Sequence, residues 1–352
     1  MSLTYPSMPG AAGRALDRRK ASILRAIVRE YVKSGQPVAS KTLVEKYRLQ
    51  VSAATIRNDM AVLEELGYIV QPHTSAGRIP TDLGYRWFVD NWPGPSWPQI
   101  TDDDRRAIDV VLDAEFRGLE YTLDSTSQVL STVTEAAGIA VAPPSRRSQL
   151  RRLDLIMRDA RRATLLLVAR NGEVQQGVVE FGDEKTEDDL EDLARALNAK
   201  LEGVDFERLS ETVLAGENVP ADWKAVAAEI ADVIEEGASQ RIFRGGTANI
   251  LSPRLFSDME TVQSIVDALE HPRVLSGLMT AVSESATVLV FIGHEVPVEQ
   301  MRACTVIFAP YGTEDRRGSV GVIGPTRMDY PHTIAAVEAV ARRLSALLES
   351  AG

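Results

Sequence analysis

Val51-Ser-Ala-Ala-Thr-Ile-Arg-Asn-Asp-Met-Ala-Val-Leu-Glu-Glu-Leu-Gly-Tyr68, followed two residues later by Gln71-Pro-His-Thr-Ser-Ala-Gly-Arg-Ile-Pro80, decides the fold of the N-terminal part of the chain. Ser52 is a good N-cap, because its hydroxyl accepts from the unpaired amides of a first helical turn. Gly67 stands where a left-handed C-terminal cap is wanted. Between them Ile56, Met60 and Leu63 recur at i, i+4, i+7 and define one apolar stripe. Ala54, Arg57, Asn58 and Ala61 fall on the opposite face. Two small residues let a helix approach a groove closely, and Arg and Asn suit guanine and adenine edges. An ordinary surface helix also shows a polar face, so the flanking segments have to decide.

Upstream, Leu16 to Lys33 carries Leu16, Ile23, Leu24, Ile27, Val28, Tyr31 and Val32 at core-facing helical spacing. Gly35-Gln-Pro37 ends it. Ser40 then caps a short helix with Leu43, Val44 and Tyr47, and Arg48 to Val51 turns the chain into the Ser52 helix. Helix, short helix, turn, helix is the order in which the last helix enters the major groove and the one before crosses the backbone. Downstream, Tyr68 to Pro72 and Arg78 to Pro80 read as paired strands, with His73-Thr-Ser-Ala-Gly77 as the turn. The arm offers Arg78 and the hydroxyls of Thr74 and Ser75 to phosphate or the minor groove. The layout is a winged helix-turn-helix.

The net charge of −11 looks wrong for a DNA-binding protein until it is divided along the chain. Residues 1–92 hold 13 basic and 8 acidic side chains, the remainder 26 and 42. A basic N-terminal segment on an acidic body is the asymmetry expected when one module meets phosphate. The length of 352 residues predicts two or three domains, and 44% hydrophobic residues supply a real core. Cys304 is the only cysteine, which excludes an intramolecular disulfide and fits a reducing compartment. Its neighbours Thr-Val-Ile-Phe mark a buried strand and an inert thiol. No apolar run approaches the roughly 20 residues of a membrane span, and no signal peptide opens the chain, so a cytoplasmic protein without membrane contact is expected.

The expected organisation is α+β and multidomain. Residues 1–13, rich in Pro, Gly, Ala and Ser, form a disordered tail, and 14–92 the winged-helix domain. Residues 93–101 lie in a linker around Trp92-Pro-Gly-Pro-Ser-Trp-Pro98. Two helices follow, near Asp102–Phe116 and Leu119–Ala137, then a strand over Gly138–Ala142. Leu153–Met157, Ala163–Val168 and Val174–Phe181 read as strands, the last two joined by Asn171-Gly172, a hairpin signal. Helices carrying Leu190, Leu193, Leu197 and Leu201, then Trp223, Val226, Ile230 and Val233, complete a small α+β unit. Their apolar faces are either internal or offered to a second copy, in which case Leu190, Leu193, Leu197, Trp223 and Ile230 are the dimerisation positions. Strands return at Thr287–Gly293, Cys304–Ala309 and Ser319–Gly324, and a last helix runs from about Thr333 to Glu349. Strands on both sides of the middle unit make it an insertion, residues 151–240, into a domain of 102–150 and 241–352.

Catalysis finds no support. His73, His271, His294 and His332 show no metal-ligand spacing, and no phosphate-binding Lys-Ser/Thr loop or Gly-x-Ser-x-Gly elbow is present. His294-Glu295 lacks a visible nucleophile. Gly321-Val-Ile-Gly-Pro-Thr-Arg-Met328 reads either as an anion-cradling loop or as a strand ending before the last helix. Neither an enzyme, a cofactor nor a metal is expected.

The chain resembles the HrcA heat-inducible transcription repressors of bacteria. The likeness is carried by Gln36-Pro-Val-Ala-Ser-Lys41, Val51 to Met60, Gln71 to Thr81 and Gly321-Val-Ile-Gly-Pro-Thr-Arg-Met-Asp-Tyr330. It implies a winged helix, a GAF-like domain with an inserted dimerising domain, and a homodimer on an inverted-repeat operator, the CIRCE element, of chaperone operons. It implies also that the GroEL chaperonin keeps the repressor active until heat titrates it away. On the matching motifs, the expected DNA-contacting residues are Ser40, Lys41, Ser52, Ala54, Thr55, Arg57, Asn58, His73, Thr74, Ser75 and Arg78. The rival reading is a DeoR-type repressor, whose helix motif is similar and whose C-terminal domain answers a sugar phosphate. Two further rivals are an enzyme that uses the winged helix only to hold nucleic acid, and a scaffold whose winged helix meets protein.

Overall fold

The computed structural model describes residues 16–47, 51–73, 76–93, 97–98, 100–112, 118–143, 149–170, 172, 174–216, 218–239, 242–249, 259–270, 287–313 and 316–351. The chain divides into two compact units, one of Met1–Ala142 and Phe243–Gly352, the other of Pro143–Ile242. The disordered tail expected at 1–13 lies outside the described residues, as does the tip residue Asn171.

The first unit begins with α1 (Arg18–Ser34), α2 (Ser40–Tyr47) and α3 (Ala53–Glu65). A two-stranded antiparallel ribbon of β1 (Ile69–Val70) and β2 (Ile79–Pro80) follows, then α4 (Asp82–Asp90). Local chemistry sets these limits. The Asp17 carboxylate accepts from the Lys20 amide at 2.9 Å, so α1 starts at Arg18 rather than Leu16. Ser40 is the first residue of α2 rather than its cap. The Thr81 hydroxyl accepts from the Gly84 amide at 3.2 Å and opens α4. Ile23, Leu24, Ile27, Leu43, Ile56 and Leu63 are fully buried together, which is the apolar stripe of each helix closing on the others.

After α5 (Asp102–Leu112), α6 (Leu119–Thr134) and β3 (Ala137–Val141), the chain enters the second unit. There β4 (Leu150–Asp159), β5 (Arg162–Ala169) and β6 (Val174–Glu180) form an antiparallel sheet in sequence order, accompanied by α7 (Glu187–Leu201), α8 (Leu209–Leu214) and α9 (Ala221–Ser239). A capping box of Thr186 and Asp189 starts α7. Alternate residues of β5, Ala163, Leu165, Leu167 and Ala169, are buried and share a core with Leu190 and Leu197 of α7 and Val226 and Ile230 of α9.

The chain returns to the first unit as β7 (Ile242–Gly245), α10 (Met259–Glu270), β8 (Leu289–Ile292), β9 (Cys304–Thr313), β10 (Arg316–Pro325) and α11 (Tyr330–Ala351). These strands make one sheet, in the order β7-β3-β10-β9-β8, with β10 antiparallel to both β3 and β9 and β8 antiparallel to β9. Helices α6 and α11 pack on it and α5 packs against both helices. Gly321 to Pro325 lies within β10, so this segment is strand and not an anion-cradling loop. The turn after it is closed by the Tyr330 hydroxyl, which donates to the Thr326 carbonyl at 2.6 Å. The sequence reading did not anticipate β7, α8 or α10.

Candidate nucleic-acid interface

Helix α3 is capped at both ends and presents a polar face outward. The Ser52 hydroxyl accepts from the Thr55 amide at 3.1 Å and lies 2.9 Å from the Thr55 hydroxyl. At the other end Gly67 has φ 80, and the Tyr68 amide donates to the Leu63 carbonyl at 3.0 Å. That is a Schellman closure, and it needs the glycine because a side chain is strained at positive φ. Ile56, Met60 and Leu63 are buried, whereas Ser52, Ala54, Arg57, Asn58 and Ala61 are exposed. Arg57 and Asn58 have no side-chain hydrogen bond or ion pair among the described residues, so their donors and acceptors remain available. Val62, one turn beyond Asn58, is also exposed and offers an apolar contact of the kind that thymine methyls accept.

Around this face several charged groups are already engaged. Asp59, on the inner side of α3, is 5% exposed and receives Arg19 at 2.7 and 3.0 Å. This pair ties α3 to the start of α1. Glu30, also 5% exposed, receives Lys46 and, at 3.3 Å, the Tyr47 hydroxyl, which ties α2 to α1. A buried carboxylate without such partners would be strongly destabilising. Lys41, on α2, is 83% exposed by its side chain and pairs loosely with Glu45 at 3.7 Å. Its ammonium is open to solvent, while Ser40 is half-buried.

The wing differs from the simple expectation. His73 is exposed, and Thr74 and Ser75 lie outside the described residues. The Arg78 guanidinium bonds to Glu64 of α3, its Nε donating at 2.9 Å and its Nη2 lying 2.9 Å from the same Oε2. Any phosphate contact by Arg78 has to be shared with, or taken from, Glu64. The same carboxylate accepts from the Gln71 amide at 3.1 Å, and Gln71 Nε2 donates to the Ala76 carbonyl at 3.0 Å. Arg78 and Val38 exchange backbone hydrogen bonds at 2.9 Å in both directions. Gly77 is required beside them, because a Cβ there would come within 2.4 Å of the Val38 carbonyl. The Gln36–Lys41 and Gln71–Thr81 segments are therefore neighbours. The role of Glu64 and Gln71 in setting the wing on α3 was not read from the sequence, since nothing in a linear pattern pairs Glu64 with a residue 14 positions later.

Three of the five expected dimerisation positions are taken up by the second unit's own core. Leu190 is 2% exposed, and Leu197 and Ile230 are fully buried, all within the second unit's own core. Leu193 and Trp223 are partly buried against that core, with Lys200 Nζ 5.1 Å from the centre of the Trp223 ring. The burial of Leu190, Leu197 and Ile230 fits the internal reading of these helices, while Leu193 and Trp223 keep part of their surface exposed. The large apolar side chains that the unit exposes lie mainly on its sheet: Ile156 at 53%, Val174 at 57% and Val178 at 37%. Ile156 and Val178 flank Thr164 in register, and Val174 pairs with Val168, so they share the face turned away from the buried side chains of β5.

Cys304, His294 and His332 are engaged structurally. Cys304 is fully buried, which pushes its thiol up to about 12. His294 Nδ1 lies 2.7 Å from Asp82 and His332 Nε2 2.9 Å from Asp104, while His271 lies outside the described residues. No group of three or more potential metal ligands occurs among the described residues, and none of their helices is long and apolar enough to cross a membrane.

Known proteins align with both halves of this architecture. Residues 120–334 match the family described as HrcA protein C terminal domain, and residues 25–81 match the DeoR-like helix-turn-helix domain. The heat-inducible transcription repressor HrcA of Acidothermus cellulolyticus is 40% identical over 341 residues, covering 95% of this chain and 99% of that protein. The repressor of the same name from Pelotomaculum thermopropionicum is 35% identical over 340 residues, covering 95% and 97%. A crystal structure of a hypothetical protein, 24% identical, covers 96% of this chain and 100% of its own with a TM-score of 0.59, which bears on the fold alone.

Proposed function

We propose, from the premise that this chain belongs to the HrcA family of heat-inducible transcription repressors, that it acts as a homodimer on an inverted-repeat operator of the CIRCE type. Helix α3 enters the major groove of each half-site. Arg57 and Asn58 meet base edges, Ala54 and Ala61 allow the close approach, and Lys41, Ser52 and Thr55 meet backbone phosphates. The wing, through His73, Thr74 and Ser75, lies on the flanking backbone, with Arg78 shared between phosphate and Glu64. The observation that carries this reading is the Arg57–Asn58 face, unpartnered among the described residues and set between small residues on a basic N-terminal segment of a chain whose remainder is net acidic.

The acidic body repels DNA elsewhere and so favours approach by this face. The five-stranded sheet covered by α6 and α11 supports a GAF-like domain, to which no ligand is assigned. A second copy is taken to meet the open sheet face of Ile156, Val174 and Val178. The family relation extends the reading to a cytoplasmic regulator of chaperone operons, kept active by the GroEL chaperonin. It also disfavours the sugar-phosphate rival, since likeness to DeoR proteins is confined to the helix-turn-helix. Titrating the chain against operator and scrambled duplexes over salt and temperature, with and without GroEL, tests the whole. Salt-dependent, sequence-selective binding that strengthens with GroEL is expected. Affinity indifferent to GroEL and to heating would contradict the regulatory half, and indifference to salt the DNA-binding half.

A further inference from the structure

One arginine joins the winged helix to the sheet of its own unit. Arg86 of α4 reaches β8, the edge strand, and its side chain is only 14% exposed. Its Nε donates to Glu295 Oε1 at 2.8 Å, its Nη2 to Glu295 Oε2 and to the Val290 carbonyl, and its Nη1 pairs with Asp90 at 3.3 Å. Glu295 is itself held, because it accepts from the Ile292 amide at 2.9 Å. Four residues before Arg86, Asp82 accepts from the His294 amide at 3.1 Å and lies 2.7 Å from His294 Nδ1. Between these two polar contacts Tyr85 packs on Tyr330, with ring centroids 5.4 Å apart. Further along the seam Arg327 Nη1 donates to the Val32 carbonyl near the end of α1 at 3.4 Å.

A bidentate guanidinium–carboxylate pair fixes orientation as well as distance, and burial protects it from salt screening. Two such polar contacts one helical turn apart leave α4 little freedom to rotate on the sheet. None of these side chains belongs to the set proposed to touch DNA. We infer that Arg86 and Asp82 are positioning residues: they set the angle of the reading helix relative to the sheet-containing part of the unit. In a dimer they thereby set the half-site spacing that can be bound. This rests on the dimeric operator reading above. Half-site spacing is a geometric property of where two reading helices stand, and the gain from the second half-site falls when that geometry is loosened.

The experiment compares the full-length chain with Arg86→Ala, Glu295→Gln and Asp82→Asn variants, and with Arg86→Lys as the conservative replacement. Each is titrated against an isolated half-site, the inverted repeat, and repeats whose spacer is longer or shorter by one or two base pairs. Arg86→Ala is expected to lose about tenfold or more on the inverted repeat, to discriminate less between spacers, and to keep its half-site affinity. Arg86→Lys recovers part of the spacer preference, and Tyr85→Phe, which removes a buried hydroxyl that has no partner among the described residues, changes nothing. Small-angle X-ray scattering without DNA is expected to show a broader distribution of intramolecular distances for Arg86→Ala. Unchanged spacer preference, equal loss on half-site and repeat, or an unchanged scattering profile would each overturn the inference. Failure of the unaltered chain to prefer the inverted repeat sinks the operator reading instead.

Discussion

Helix α3 and helices α7 and α9 carry equally regular apolar patterns, and they differ in what their exposed faces hold. In α3 the apolar stripe of Ile56, Met60 and Leu63 is consumed by the core and the opposite face is left open with Arg57 and Asn58. In α7 and α9 the apolar stripe is consumed as well, and what it leaves outside is a solvated face. An apolar stripe therefore says that a helix is packed, and not by what. Polar side chains on a background of small residues say more, because nothing inside the domain requires them.

The largest expected effect comes from breaking the internal half of this comparison. Ile230→Ala or Leu197→Ala should cost roughly 2–5 kcal/mol of stability through the cavity left behind, read by denaturant unfolding of the full chain. Weaker self-association with unchanged unfolding would return these residues to a dimer surface. The exposed half breaks at Arg57→Ala, which should lose about 1–3 kcal/mol on operator with relaxed base preference, measured by titration against single-base operator variants. Intact preference would remove Arg57 from base reading. Ile156→Asp sharpens the contrast within the second unit. It should weaken self-association by about tenfold, the value of roughly 1–2 kcal/mol of buried aliphatic surface, with little change in unfolding. Sedimentation equilibrium reads it, and an unaltered dimer would move the second copy to another face.

The smallest effect concerns the wing. Glu64→Gln should release Arg78 towards phosphate and steepen the salt dependence of binding by no more than about one counterion. Arg78→Ala should weaken operator and scrambled duplex alike. An unchanged salt slope in both variants would leave Arg78 as a purely structural strut between wing and helix.

Most of the reading head was legible because its signals are local. The cap at Ser52, the glycine stop at Gly67 and the periodic stripes each depend on a few neighbouring residues. What was missed depends on distance along the chain. The Arg78–Glu64 and Arg86–Glu295 pairs join residues 14 and 209 positions apart, and no periodicity announces them. Helix α8, with six residues, is too short to show a period, and β7, with four, offers no alternation. Helix α10 was within reach, since Val262, Ile265 and Leu269 are buried at helical spacing. The fate of the leucines in α7 was undecidable from pattern alone, because core and interface are made of the same residues.

The central claim is that the exposed face of α3 reads base sequence while the acidic remainder does not. Its most direct test is the ratio of affinities for the inverted repeat and a scrambled duplex of equal composition near physiological salt, for the unaltered chain and for Arg57→Ala. A ratio of about a thousand or more is expected for the unaltered chain, reduced by Arg57→Ala mainly through weaker operator binding. Equal affinity of the unaltered chain for the two duplexes, or a ratio untouched by the substitution, would contradict it.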